Sequence, residues 1–162
     1  MLNCSPLLYG VRRAVVGTGF LAGVDIKGRA LLEYEDDAWW VVGVQPGGVL
    51  ASGDTPSDAW SAFKDAVTAI LFDSAGLAQS FDAFAEDVTM FGTQRNEVAG
   101  ERWSEARTAV QDGDEPKENF VAELPRNKGE TPSGVSVVRL DEAKRQFKPQ
   151  DNKLDRVYLP AA

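Results

Sequence analysis

One stretch of this chain permits very few structural readings. Thr55-Pro56-Ser57-Asp58 offers a hydroxyl to cap a helix, a proline suited to the first helical position, and an acid three residues after the cap. Behind it Trp60, Phe63, Val67, Ile70 and Leu71 follow at spacings of three, four, three and one, which is one helical stripe. Ala59, Ala62 and Ala66 widen the stripe with small side chains, so this helix can lie close on a sheet. It is expected to end near Ser74 to Gly76, with Gly76 as the residue just past its C-terminus.

The residues before the helix read as that sheet. Arg29 to Tyr34 alternates, with Leu32 and Tyr34 on one face and Leu31 and Glu33 on the other. Glu35-Asp36-Asp37-Ala38 has turn chemistry, and Trp39 to Val44 is an aromatic and β-branched second strand. Pro46-Gly47-Gly48 breaks the chain again, and Val49 to Ser52 makes a short third strand ending at Gly53-Asp54. Links this short imply an antiparallel meander.

After the capped helix, Phe81 to Phe91 and Gln94 to Gln111 show helical spacing, punctuated by Gly92 and Gly113. Glu123 to Ser133 holds two prolines and a glycine and reads as a loop, and Gly134 to Leu140 reads as a late strand. The expectation is an α+β fold: a three-stranded antiparallel meander plus a late strand, packed on the capped helix, with a helical insertion over about 77–132. The organisation assigned is a 1–28 arm or extra strand, a single 29–141 domain, and a polar 142–162 tail in which Val157-Tyr158-Leu159 can dock.

Composition narrows the chemistry. The 162 residues contain no histidine and one cysteine, and 17 Lys+Arg stand against 25 Asp+Glu, a net charge of −8. A Ser-His-Asp triad, a Cys-His pair, an internal disulfide and a thiolate zinc site are all excluded. The acidity argues against a generic nucleic-acid binder, since phosphate attraction needs clustered cations. The apolar run from Ala14 to Val24 is about half of the roughly 20 residues that span a bilayer. No small-residue cleavage motif follows it, so neither a membrane segment nor an exported protein is expected. The unpaired Cys4 is compatible with the reducing cytoplasm.

The richest local chemistry lies in the first hairpin. Glu33, Glu35, Asp36 and Asp37 gather four carboxylates, and Glu33 and Glu35 share a strand face. That pattern admits a metal-dependent hydrolase built on Glu33, Glu35 and Asp36, or a solvated turn. Trp39 and Trp40 must face opposite sides of the strand. One can enter the core under the Thr55 helix, while the other is a partner contact or lies beneath a further helix such as Phe81 to Phe91. Gly17-Thr18-Gly19 and Pro46-Gly47-Gly48 lack phosphate-loop spacing and read as turns. Lys144, Arg145, Lys148, Lys153 and Arg156 read as a solvated basic tail. No base lies near Cys4 in sequence, and no cofactor is implied.

The segment Tyr34-Glu35-Asp36-Asp37-Ala38-Trp39-Trp40-Val41-Val42, then Pro46-Gly47-Gly48, then Gly53-Asp54-Thr55, then Asp58-Ala59 and Lys64-Asp65-Ala66, resembles the HicB-type antitoxin domain. The likeness covers Arg29 to Gly76. It implies a partial ribonuclease-H-like fold without catalysis, and a role as an inhibitor that binds a small basic ribonuclease toxin and occludes it. Glu35, Asp36, Asp37, Trp39 and Trp40 become the expected partner contacts, with self-association or membership of another complex as the alternative. No ribbon-helix-helix or helix-turn-helix module follows Leu140, so operator binding is not expected.

Overall fold

The computed structural model describes residues 4–113, 119–127, 133–141 and 155–160. Its spine is a long hairpin. Strand β1 (Cys4–Gly17) pairs antiparallel with β2 (Phe20–Glu35) along its whole length, from Cys4 opposite Glu33 to Gly17 opposite Phe20. Thr18 and Gly19 form the connection, and Gly19 takes φ +80, which glycine adopts at little steric cost. The opposite edge of β2 is shared by two strands laid end to end. Strand β3 (Ala38–Gln45) pairs with Arg29 to Glu35, and β6 (Gly134–Arg139) pairs with Ala22 to Lys27.

The sheet grows outward from there. Strand β4 (Leu50–Gly53) adds to β3, and β7 (Arg156–Pro160) pairs with Leu8 to Gly10 of β1. A two-residue β5 (Arg126–Asn127) runs parallel to β7. Helices α1 (Pro56–Leu77) and α2 (Phe81–Thr93) cover one face, with the short α4 (Asn119–Ala122) contributing Val121 to that core. Helix α3 (Glu97–Gln111) covers part of the other face.

The α+β class, the meander and the capped helix are all present. Of the two readings of 1–28, an arm or an extra strand, the chain takes the second and goes further. Cys4 to Gly17 is the sheet's longest-paired neighbour strand, and residues 20–28 are the first half of β2. A domain boundary at 29 would therefore cut a continuous strand. The alternation that builds it is Leu7, Tyr9, Val11 and Val15 against Ala22, Val24 and Ile26, all buried on the α1 face. The late strand does not extend the meander at its edge; it takes the vacant half of β2 beside β3. Val157-Tyr158-Leu159 docks as β7, whereas Lys144 to Lys153 lies outside the described residues.

Local signals set the helix ends. Thr55 Oγ1 accepts from the Asp58 amide at 3.0 Å, Ser80 Oγ from Ala83 at 3.1 Å, and Asn96 Oδ1 from Ala99 at 3.1 Å. The expected stop at Gly76 is passed. Helix α1 runs through Leu77, and the buried Ala78 caps it by donating to the Ser74 carbonyl at 2.9 Å. Ala78 belongs to the core, and burying it keeps the helix going for one further step before Ser80 starts the next.

A polar anchor joins the C-terminal strand to this frame. Arg13 forks onto Asp155 at 2.6 and 2.9 Å and donates to Thr68 of α1 at 3.0 Å, and Lys64 lies 3.8 Å from the same carboxylate. The Asp155 side chain is only 5% exposed. Asp155→Ala should cost about 2 kcal/mol in urea unfolding, the worth of charge-assisted hydrogen bonds in a partly buried site.

Where β3 leaves β2, β2 has no room for a side chain at Gly28. A Cβ there would lie 2.5 Å from the Gln45 carbonyl and 2.6 Å from the Tyr9 ring and hydroxyl. Gly28→Ala should therefore destabilise by about 2 kcal/mol, as overpacking does. The Tyr9 hydroxyl is buried without a hydrogen-bond partner, and burial pushes its pKa well up from 10.0. The folded state holds that proton more tightly than the unfolded state does. Its share of stability is complete below pH 10 and lost as pH rises toward the folded value. Tyr9→Phe should flatten the alkaline fall of the urea midpoint and leave stability at pH 7 equal or higher by about 1 kcal/mol.

Candidate functional site

The five residues expected to meet a partner share one end of the sheet, the β2–β3 turn and the first residues of β3. Glu35 pairs with Ala38, so Asp36 and Asp37 form a two-residue hairpin loop, with φ of 53 and 60. Positive φ at both central positions matches the type I′ turn, whose twist suits a hairpin. Asn-Gly and Asp-Gly are the least strained pairs for that turn, so Asp36 suits its position and the cost, of order 1 kcal/mol, falls on Asp37 where glycine is preferred. The chain keeps two exposed carboxylates where a neutral, less strained pair would close the same loop.

The two tryptophans diverge as strand geometry requires. Trp39 lies on the α1 face, packs against the main core, and meets Tyr34 with ring centroids 5.2 Å apart. Trp40 lies on the α3 face opposite Glu33, and its indole N–H donates to the Glu35 carbonyl at 3.2 Å. That bond ties the ring across the turn and leaves it half-buried. The expected cover for this second face, residues 81–91, is instead α2 on the first face. Helix α3 supplies the cover, with Trp103 donating to the Leu7 carbonyl at 3.1 Å and Leu8, Leu31 and Val44 beneath it. A surface helix rich in polar residues lays Ala99, Trp103 and Ala106 down because only those positions share one face.

Glu33 plays a different part from its neighbours. It is buried and bonds to Arg102 of α3, which half-exposed Arg102 answers by holding its own proton more firmly, chiefly through that hydrogen bond. Cys4 is the register partner of Glu33 on β1. Burial raises its thiol pKa above 9.0, outweighing the opposing pull of Arg102, so it is a poor nucleophile near neutrality. The Glu33–Arg102 pair is a sheet-to-helix clasp. A divalent ion on Glu33, Glu35 and Asp36 would have to displace a guanidinium to form. Among the described residues no three Asp, Glu, Cys or His side chains gather in a metal-binding group. Sequence reasoning missed Arg102 because its partner lies 69 residues away and nothing local marks it.

Further carboxylates collect at the same end. Gly53 pairs with Trp39, so Asp54 and the exposed Asp58 of α1's first turn stand close behind the hairpin tip. Thr18-Gly19 is a turn after the end of β1, and Pro46-Gly47-Gly48 is an irregular bend between β3 and β4. Gly47 donates to the Gln94 carbonyl at 2.9 Å, and a Cβ on it would run into the backbone of Arg95 and Asn96. Of the basic tail, only Arg156 falls among the described residues, at the start of β7. No helix is long and apolar enough to cross a membrane among the described residues. Compared with known proteins, the chain matches no family model, no curated protein and no solved structure.

The turn strain gives a direct check. Replacing Asp36-Asp37 with Asn-Gly should raise unfolding stability by about 1 kcal/mol, measured in urea, because glycine at position 37 adopts φ > 0 more readily.

Proposed function

We propose that the chain is a HicB-like inhibitor that binds and occludes a small basic ribonuclease in the cytoplasm, and is not itself an enzyme. The observation that carries this reading is the Asp36-Asp37 turn. Two carboxylates are kept in left-handed backbone at an exposed tip, flanked by Glu35, Trp39 and Trp40. Strain retained where a milder sequence would fold the same loop points to use of those side chains. The run from the second half of β2 through β3, β4 and α1 has the order of elements that the resemblance implies. A net charge of −8 favours encounter with a cationic partner.

Aromatic rings beside fixed negative charge suit a partner surface of lysines and arginines, through ion pairs at the rim and cation–π contact at Trp40. The mechanism needs no bond chemistry. Acids at the tip steer the encounter, and the rings and sheet end exclude water and substrate from the enzyme's cationic surface.

The test begins with the neighbouring reading frames, among which this reading expects a small basic ribonuclease; absence of any such product overturns it. Stoichiometric addition of this protein should abolish RNA cleavage. The association rate should fall by about tenfold or more between 50 and 300 mM NaCl, as for steered encounters. Asp36→Asn with Asp37→Asn should slow association several-fold while leaving unfolding stability nearly unchanged. A ribonuclease that keeps full activity in excess inhibitor at low salt would overturn the reading.

A further inference from the structure

We infer that the open edge of β4 takes up an extended, basic segment of the partner as an additional strand; this rests on the inhibitor reading and names how that partner is held. Strand β4 ends the sheet, and among the described residues its outward backbone groups meet no other strand. Unpaired strand edges are templates for a further strand, and proteins ordinarily guard them with lysine, proline, inward charges or a bulge. Leu50-Ala51-Ser52-Gly53 carries none of these, and its pairing with β3 is regular. Its shortness and helix α1, which packs against its Gly53 end, are its protections, and α1 lies on the Ala51–Gly53 face, leaving Leu50 exposed.

The opposite side of the sheet is closed differently. There β1 accepts β7 at Leu8 to Gly10, and farther along Arg13 donates to the Arg12 carbonyl at 2.8 Å and is fixed by Asp155. Arg13 thus occupies that edge. Strand β6 also pairs on one side only among the described residues, and of the open edges β4 is the one beside the acidic turn.

Side chains around β4 specify the occupant. Leu50 is 59% exposed and shares a face with its partner Val42, and Ser52 shares that face with Trp40. An added strand would lay an apolar residue beside Leu50 and cover an apolar strip that is otherwise wet. At the Gly53 end the environment turns acidic, with Asp54 and Asp58 behind and the Glu35-Asp36-Asp37 turn alongside. The same incoming strand must therefore bring lysine or arginine there. Charge argues against a second copy of this chain, since two molecules of net −8 would meet with like charge. The occupant is an alternating apolar and cationic segment, held by backbone bonds and sorted by charge.

Hydrogen exchange on the full chain tests this with an acetylated, amidated Lys-Val-Lys-Val-Lys-Val-Lys peptide and its Glu-for-Lys counterpart. The lysine peptide should slow exchange across residues 50–53 by about tenfold or more at saturation, and the glutamate peptide should not. Leu50→Lys, a change at an exposed side chain, should remove the effect while the near-UV spectrum stays native. Ser52→Pro is the second block on the edge. Lysine-peptide binding that perturbs Asp36 and Asp37 but leaves 50–53 unchanged overturns the edge and keeps the inhibitor reading. No binding of the lysine peptide overturns the edge, while the ribonuclease assay decides the inhibitor reading separately. Protection of 50–53 that grows with protein concentration alone, with no peptide, overturns the basic occupant in favour of a second copy.

Discussion

A strand buried on both faces must find partners for its backbone groups in its neighbours, and here that requirement bears hardest on β2. It runs from Phe20 to Glu35 and is paired on both edges, with β1 along one and β6 then β3 along the other. An unsatisfied buried amide would cost as much as a lost hydrogen bond. Two segments separated by α1, α2 and α3 are therefore brought onto one line. The return of the chain after α3 is obligatory in this sense: without β6 the first half of β2 would lack its second edge.

Where the two share an edge they must part, and the region around Gly28 is built for that. The register between β2 and β3 shifts at Arg29/Ala30, and Gly28 lies under the Gln45 carbonyl with the Tyr9 ring against it. Beyond the fork, β3 turns away through Pro46 and Gly47 and is fixed to the start of α3 by the Asn96 amide on the Val44 carbonyl at 2.9 Å. Placing α3 across the second face in turn sets Arg102 over Glu33. The acidic end of the sheet is thus divided. Glu33 is consumed in holding the fold, and Glu35, Asp36 and Asp37 stay in solvent.

This division bears on function more than the acid count does. Four neighbouring carboxylates in sequence suggest convergence on one ion. The structure separates them, one to a guanidinium and two onto a strained tip. An ion at this end would have to compete with the Arg102 guanidinium for Glu33, while Asp36 and Asp37 sit apart at the exposed tip. Tyr34, Trp39 and Trp40 give the tip a rigid aromatic base.

Short-range physics was legible from the chain alone. Turn residues, the Thr55 cap, the stripe Trp60-Phe63-Val67 and the opposed tryptophans all follow from local sterics and periodicity, and they are where they were expected. Alternation in Leu7-Tyr9-Val11 and Ala22-Val24-Ile26 was equally present, but Arg12-Arg13 and Gly17, Gly19 and Gly23 masked it as an interrupted arm. Arg13 is accommodated within the strand by Asp155, far along the chain, Arg12 by Asp25 on the neighbouring strand, and Gly19 falls in the turn between strands. The helix end at Ala78, α3 as cover for Trp40's face, the Glu33–Arg102 clasp and β6's place on β2 were left to the tertiary structure. Each depends on a contact between residues far apart in sequence, whose free energy exists only once the sheet is formed. The sequence by itself determined the elements and their polarity, because these are set by nearest neighbours. The tertiary structure decided which carboxylates remained free to act, because burial and pairing belong to the assembled sheet.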